Sequence, residues 1–322
     1  MTSEDHQLLQ HTLMAGVAYI LSRQDDDGSW VDWQLPPGES RLWTTAFVGY
    51  KLRSLPEYLN PTIARSIHTA ARWLSHNRFD DGGWGYNPAV GSDADSTAYA
   101  ILLLSQSAEA IPKASYTHLR GFQRSDGGFS TYFPDDNPNS WTVSHPDVTP
   151  VALLALLTRY SREQAFMQRG LNYALRQRTK AGLWNSFWWE SFLYSTEANL
   201  SFLNAIGCVV DTADTKASLA RMRSDKPFEI ALQLSALLSL SSGITAPGTE
   251  IGGLIDQYVH QLVTKQHADG SWRTEPILRL TNRECYEPWR CQESGMLFAD
   301  PNRLFTSSTV LAALSRALML YM

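Results

Sequence analysis

Two kinds of helical segment alternate along the chain. The first is amphipathic, with apolar residues at helical spacing and polar residues on the opposite face: AGVAYILSR (15–23), AARWLSHN (70–77), YTHLRGF (116–122), LNYALRQ (171–177) and YVHQLVTK (258–265). The second is apolar over most of its surface: RLWTTAFVGYKL (41–52), SDADSTAYAILLL (92–104), HPDVTPVALLALL (145–157), LYSTEANLSFL (193–203), FEIALQLSALLSL (228–240) and LFTSSTVLAAL (304–314). A helix of the first kind can face water along one side, whereas one of the second must be covered by its neighbours. The pattern predicts an outer and an inner layer of helices and needs no strand.

Between the two kinds of helix the chain repeats itself. Aligned on Gln or Arg, three residues, Gly, one residue and an aromatic, it gives QDDDGSW (24–30), RFDDGGW (78–84), QRSDGGF (123–129), RTKAGLW (178–184) and QHADGSW (266–272). The final aromatics stand at 30, 84, 129, 184 and 272, so the intervals are 54, 45, 55 and 88, the last close to two periods. A unit that lacks the motif accounts for the double interval. Glycine permits a tight turn and the aromatic packs between helices, so Trp30, Trp84, Phe129, Trp184 and Trp272 are assigned to structure, bracing one end of the array. Six helix pairs closing on themselves make an all-α (α/α)6 barrel, a single domain over residues 1–322. An open solenoid is the alternative, disfavoured because no polar cap is evident.

Composition narrows the function. The 322 residues, 43% hydrophobic and 18% charged, can bury a large core, and a net charge of -5 with no basic block argues against a nucleic-acid partner. The acidic, polar start MTSEDHQLLQ and the short apolar stretch after it show neither a secretory signal nor a membrane anchor, which predicts a cytoplasmic location. Three cysteines, Cys208, Cys285 and Cys291, are an odd number in a long chain and suit reduced thiols rather than a disulfide framework. The sequence is silent on oligomeric state.

The stretch GSDADSTAYA (91–100) sets two carboxylates at the start of an apolar helix. Ser92 and Asp93 are residue types that cap a first helical turn, and the helix dipole keeps a carboxylate there ionised. Asp95, two residues on, points to a different face. If that face is an apolar cavity, desolvation and the charge on Asp93 raise its pKa, and the pair splits into an ionised and a protonated member. Sliding SDADSTA onto SHPDVTP aligns Asp95 with Asp147, so Asp147 is expected to open the next inner helix at the same height and to face the same cavity.

The Gln-x3-Gly-x-Trp loops resemble the QW repeat of the squalene-hopene and oxidosqualene cyclases, and SDADSTAYA resembles their D-x-D-D-T-A acid motif. GGFSTYFPDDN followed by SHPDVTPVALL, and GLWNSFWWESFLYST, resemble cavity-lining stretches of the same family. Those enzymes carry two barrels, so the resemblance covers essentially all of this chain but one barrel of theirs. It looks most like the single-barrel, merosterol-type cyclases that act on prenylated aromatic acids. The resemblance implies a class II terpene cyclase that protonates a linear polyprenyl substrate, on a prenylated aromatic acid, and folds it into a polycyclic product without metal or organic cofactor. Protonating an isolated C=C needs a neutral carboxylic acid in a dry cavity, since an ionised one has no proton to give and water would quench the cation.

By position in the motif the donor falls on Asp95 and its partner on Asp93, while Ser96 stands where the full motif has a further aspartate. Ser96 can hydrogen-bond Asp95 but adds no charge, which makes Asp147 the candidate for the missing carboxylate. Tyr194 matches a tyrosine that supports the donor through hydrogen bonding, and a histidine that partners the acid in hopene-forming enzymes falls on Val151. His145 reads as a residue at a helix start. Aromatic faces stabilise a cation by about 0.5 to 2 kcal/mol each. Tyr86, Tyr132, Trp188 and Tyr194 match aromatic positions of the family's cavity, and Trp43, Tyr99, Trp141, Phe192, Trp289 and Phe305 join them by standing in loops or at inner-helix starts. Arg41, Arg176 and Arg178 are candidates for holding a carboxylate head.

Other proteins on this barrel leave different marks. Protein prenyltransferase β-subunits and lanthionine-type cyclases need zinc ligands; no D-x-C pair occurs, and Cys285 and Cys291 in ECYEPWRC lack partner histidines downstream. Glycosidases of this architecture use paired carboxylates but do not carry the loop repeat. Two alternatives stay open: a cyclase of a linear prenyl diphosphate or alcohol, and a non-catalytic barrel that binds prenyl lipids. So oily a ligand also implies transient contact of the barrel mouth with a membrane.

Overall fold

The computed structural model of the chain describes residues 3–134, 138–240 and 249–320. Asp135, Asp136 and Asn137, at the end of GGFSTYFPDDN, lie outside the described residues. The outer helices are α1 (Ser3–Ser22), α3 (Ile63–His76), α5 (Lys113–Gly121), α7 (Ala165–Arg176), α9 (Ala213–Arg221) and α11 (Glu250–Thr264). The inner ones are α2 (Leu42–Leu52), α4 (Ala94–Leu104), α6 (Val148–Leu157), α8 (Phe192–Ala205), α10 (Pro227–Leu240) and α12 (Leu304–Leu318). Each inner helix packs on the next, from α2 through α4, α6, α8 and α10 to α12, and α12 packs back on α2. The ring is closed: this is the (α/α)6 barrel and not the open solenoid.

The two helix types behave as their patterns require. All residues of α12 but Arg316 are buried, whereas in α3 burial follows the stripe Ile63, Ser66, Ile67, Ala70, Ala71 and Leu74. The repeated loop joins each layer to the next by the same bonds. Trp30, Trp84, Trp184 and Trp272 each send the indole N–H to a carbonyl near the end of the preceding outer helix, at 2.7 to 3.0 Å. Their backbone N–H groups meet hydroxyls in the first turn of the following inner helix, from Thr45, Thr97, Thr196 and Ser307, and Phe129 meets Thr149 in the same way. Where the motif opens with Gln, its amide spans to the next outer helix: Gln24 to the Ser66 carbonyl, Gln123 to that of Phe166, and Gln266 to that of Thr12, which ties the last loop to the first helix. The motif glycines hold φ between +77° and +97°, and a side chain at Gly127 would run into the Arg169 carbonyl.

Two findings depart from the sequence reading. The barrel carries two short antiparallel hairpins, β1 (Asp32–Leu35) with β2 (Gly38–Ser40) and β3 (Leu278–Thr281) with β4 (Gly295–Phe298). Both precede inner helices and rise over the same end of the barrel, where each connection is too long for a plain turn. Cys285 and Cys291 form a disulfide in the β3–β4 loop, Cα atoms 6.6 Å apart, leaving Cys208 as the free thiol. Parity misled because an odd count requires only one unpaired thiol. Among the described residues no helix is long and apolar enough to cross a membrane, and no group of three or more His, Cys, Asp or Glu is placed to hold a metal ion.

Candidate active site

The N-termini of the inner helices lie at one end of the barrel, so residues in their first turns converge on the axis. Trp43 of α2, Asp95 of α4, Asp147 at the start of α6 and Tyr194 of α8 arrive together in this way and line one cavity of about 440 Å³. The hairpins complete it: Leu35, Pro36 and Pro37 from one, Leu278 to Leu280 and Arg283 from the other. The volume falls in the range of small-molecule sites.

Asp93 is the N-cap of α4. Its carboxylate accepts from the backbone N–H and the hydroxyl of Ser96, each at 2.7 Å. Ser96 therefore holds Asp93, not Asp95 as its place in the sequence suggested, because the cap geometry brings residue three onward back over the carboxylate. Burial pushes the Asp93 carboxyl up to about 6, with the Ser96 bonds holding it back. Asp147 sits at the head of α6 without capping it; one oxygen accepts from the backbone N–H groups of Phe187 and Trp188, both at 2.8 Å, and the other, buried, has no partner. Burial raises it too to about 6, against those two bonds and the neighbouring Arg279.

Asp95 has neither arrangement. It reaches the cavity wall, and burial, reinforced by the like charges of Asp93 and then Asp147, holds its carboxyl well above the usual range. The indole N–H of Trp43 favours its ionised form from close by, without meeting it in hydrogen-bond geometry. The three carboxyls thus differ in surroundings: Asp93 and Asp147 accept hydrogen bonds from backbone N–H groups, whereas Asp95 accepts none and faces the charges of both.

Tyr194 lies beneath, its hydroxyl 2.7 Å from that of Tyr99. The bond expected from Tyr194 to the donor goes to Tyr99 instead, since the two rings, on α8 and α4 with α6 between them, meet inside the ring of inner helices. Tyr99 is buried below the cavity and does not line it, and neither does Phe305, which stacks under Phe47 and Trp189. Tyr86, Tyr132, Trp43, Trp141 and Trp188 do line it. Phe192 turns outward, 38% exposed, and lies in a separate groove, because Ser191 caps α8 and directs the next residue away from the axis. Trp289 falls in the β3–β4 loop outside the cavity.

Trp188 is positioned by a chain of buried groups. Its indole N–H donates to the Thr131 hydroxyl at 2.7 Å, which donates to His145 Nδ1 at 2.8 Å, while His145 Nε2–H reaches the Ser140 carbonyl at 2.7 Å. The carbonyl can only accept, which fixes this tautomer. Burial drives the His145 pKa down to about 3, so the ring is neutral and structural.

The arginines named from sequence are elsewhere. Arg41 pairs with Asp25 at 3.0 Å, while Arg176 and Arg178 hold the carbonyls of Asp126 and Asp211. Arg279 and Arg283, missed by the sequence reading, face the cavity in their place, and Trp189 is a further lining ring. A signal existed: residues 273–303 separate the last loop motif from the last inner helix, far beyond a turn's length, and such long connections tend to be functional.

No known family profile matches the chain. In fold the chain is similar to a variant of the type II terpene cyclase MstE from Scytonema, solved with geranylgeranyl dihydroxybenzoate: the TM-score is 0.86 at 21% identity, covering 99% of this chain and 100% of that one. A protein from Actinoplanes aligns with TM-score 0.82 and 26% identity over 96% of this chain and 99% of its own. In sequence, the drimenyl diphosphate synthase of Streptomyces showdoensis is 24% identical over 260 residues, 73% of this chain and 45% of that protein. The chain spans less than half the length of the curated relatives it matches.

Proposed function

We propose that the protein is a class II terpene cyclase that converts a linear polyprenyl chain, carried on an aromatic acid, to a polycyclic isomer. The observation that carries this reading is Asp95: a carboxyl whose pKa burial and two like charges raise well above the usual range, against the nearby Trp43 indole N–H, on the wall of an aromatic cavity. Its proton passes to one carbon of the terminal C=C, leaving a carboxylate on Asp95 and a carbocation on the substrate. Internal double bonds then attack in turn, and loss of a proton ends the sequence, so the net change is isomerisation. The faces of Trp43, Tyr132, Trp188 and Trp189 stabilise the moving charge without offering a nucleophile. Asp93 and Asp147 tune the donor through their charge. The MstE complex with a prenylated dihydroxybenzoate supports the aromatic acid.

A prenyl diphosphate is the second reading, supported by the relatives that are named diphosphate synthases. Exposed Met296 and Leu297 beside the mouth suit transient contact with a lipid surface during substrate delivery. The disulfide withdraws the thiol argument for a reducing compartment. The test is incubation with geranylgeranylated and farnesylated hydroxybenzoates and with the free diphosphates, products being separated by chromatography and mass spectrometry. A product of unchanged mass and shifted retention, absent with Asp95→Asn, is expected from the benzoates; unchanged substrate throughout, with binding retained, would instead make the barrel a lipid binder.

A further inference from the structure

The indoles of the repeated loops, and those of Trp141 and Trp188, each give their N–H to an oxygen of the protein. Trp43 does not: its ring is buried, and its N–H, buried with it, has no partner. A buried donor left unpaired is costly, and a catalytic role is one reason a fold retains it. Trp43 and Asp95 are the second residues of the adjoining inner helices α2 and α4, each two places ahead of the threonine that meets its loop, so the indole edge lies beside the carboxyl. The other groups facing Asp95 are the carboxyls of Asp93 and Asp147 and the hydroxyls of Tyr99 and Tyr194; among the described residues none of these hydrogen-bonds it. The indole is fixed in this place by its packing. Trp33 stacks on it with ring centres 6.0 Å apart, Phe305 lies at 5.0 Å, and Tyr86 and Trp189 at 6.2 and 6.3 Å. Trp33 is itself held at φ +57°, unfavourable for a bulky side chain, by the Asp32 carboxylate, which accepts the N–H groups of Trp33 and Leu304. Backbone strain of this kind collects at functional sites, and here it supports the ring beside the acid.

We propose that the Trp43 indole N–H is held for the carboxylate that Asp95 becomes, and so stabilises the transition state of the first step. While Asp95 keeps its proton the carboxyl is a weak acceptor, and the N–H stands unpaired. As the C=C electron pair takes that proton, the O–H pair stays on Asp95 and the other alkene carbon is left positive. The N–H then meets a developing negative charge in an apolar cavity, where such a bond is strong. Trp43 gives up no proton. A contact made only as charge develops raises kcat instead of lowering KM. The negative face of the indole serves the carbocation and its positive edge the carboxylate. The catalytic role rests on the cyclase reading; the contact with Asp95 does not.

The experiment replaces Trp43 alone with benzothienylalanine, which puts sulfur in place of the N–H and keeps the shape of the ring, beside Trp43→Phe. In both, kcat should fall about tenfold or more with KM kept. The alkaline limb of kcat/KM should move to higher pH, because the donor that favours ionised Asp95 is gone and the acid keeps its proton longer. A ring with only a packing role would lower activity without that shift. In the absence of substrate, the infrared carboxyl stretch that Asp95→Asn removes should titrate at higher pH once the N–H is lost. Full activity in the benzothienyl protein, or a limb and a stretch that both stay in place, would overturn the proposal. If the unaltered enzyme cyclises none of the prenylated substrates, the cyclase reading falls while the stretch still decides the contact: a raised midpoint upholds it and an unmoved one sinks it.

Discussion

Replacing Asp147 with Asn separates its charge from its hydrogen bonds. The amide oxygen can accept from Phe187 and Trp188 as the carboxylate does at 2.8 Å, so the turn that carries both is retained. What disappears is a negative charge beside Asp95 and an acid raised from 3.8 to about 6 by burial. A carboxyl raised on folding contributes its full stability below about pH 4 and loses it as pH rises through about 6. About two units at 1.36 kcal/mol each put the loss at about 3 kcal/mol by neutral pH, a loss the amide avoids. The new N–H2 group occupies the place of the unpartnered oxygen and costs about 1 to 3 kcal/mol at every pH. The variant is therefore less stable than the parent near pH 4, and its deficit closes or reverses by pH 8, a swing of about 2 to 3 kcal/mol measurable by urea unfolding at the two values. In activity the effect runs the other way. Without its second like charge Asp95 gives up its proton more readily, so the alkaline limb of kcat/KM moves to lower pH. A stability difference that does not change with pH, or a limb that stays in place, would refute the electrostatic account of this cavity.

Three further outcomes follow from the geometry. Thr131→Val breaks the chain from Trp188 to His145, leaving an indole N–H and an imidazole nitrogen unpartnered; about 1 to 3 kcal/mol of stability and a fall in kcat/KM are expected by calorimetry and kinetics. Gly127→Ala, at φ +97° with its added methyl against the Arg169 carbonyl, should cost upwards of about 1 kcal/mol without changing the pH profile, since it strains a brace far from the acid. Serine at both Cys285 and Cys291 should lower stability by about 2 kcal/mol and raise KM with kcat kept, because the loop beyond Arg283, which lines the cavity, loses its closure.

The scaffold was legible because a period of helix pairs constrains almost every residue. Apolar α6 and α12 could only be inner helices, and the loop motif marked where each pair turned. Asp95, Asp93 and Asp147 were legible too, since aligned inner helices place equivalent positions at equal height. The side-chain contacts were not. Ser96 turned back onto Asp93 through cap geometry, and Tyr194 found Tyr99 on another helix, partners that no spacing in the chain encodes. Phe192 and Trp289 were misplaced because an aromatic near a helix start can face either way, and Arg279 and Arg283 were missed because the hairpin between the last motif and α12 breaks the helical period.

The most direct test of the central claim is the origin of the hydrogen that starts cyclisation. In D2O, a prenylated hydroxybenzoate incubated with the enzyme should yield a cyclic product with one non-exchangeable deuterium on the carbon that Asp95 protonates, and Asp95→Asn should yield none while still binding substrate. A cyclic product without deuterium, or labelled product from the asparagine variant, would contradict the assignment of Asp95 as the acid.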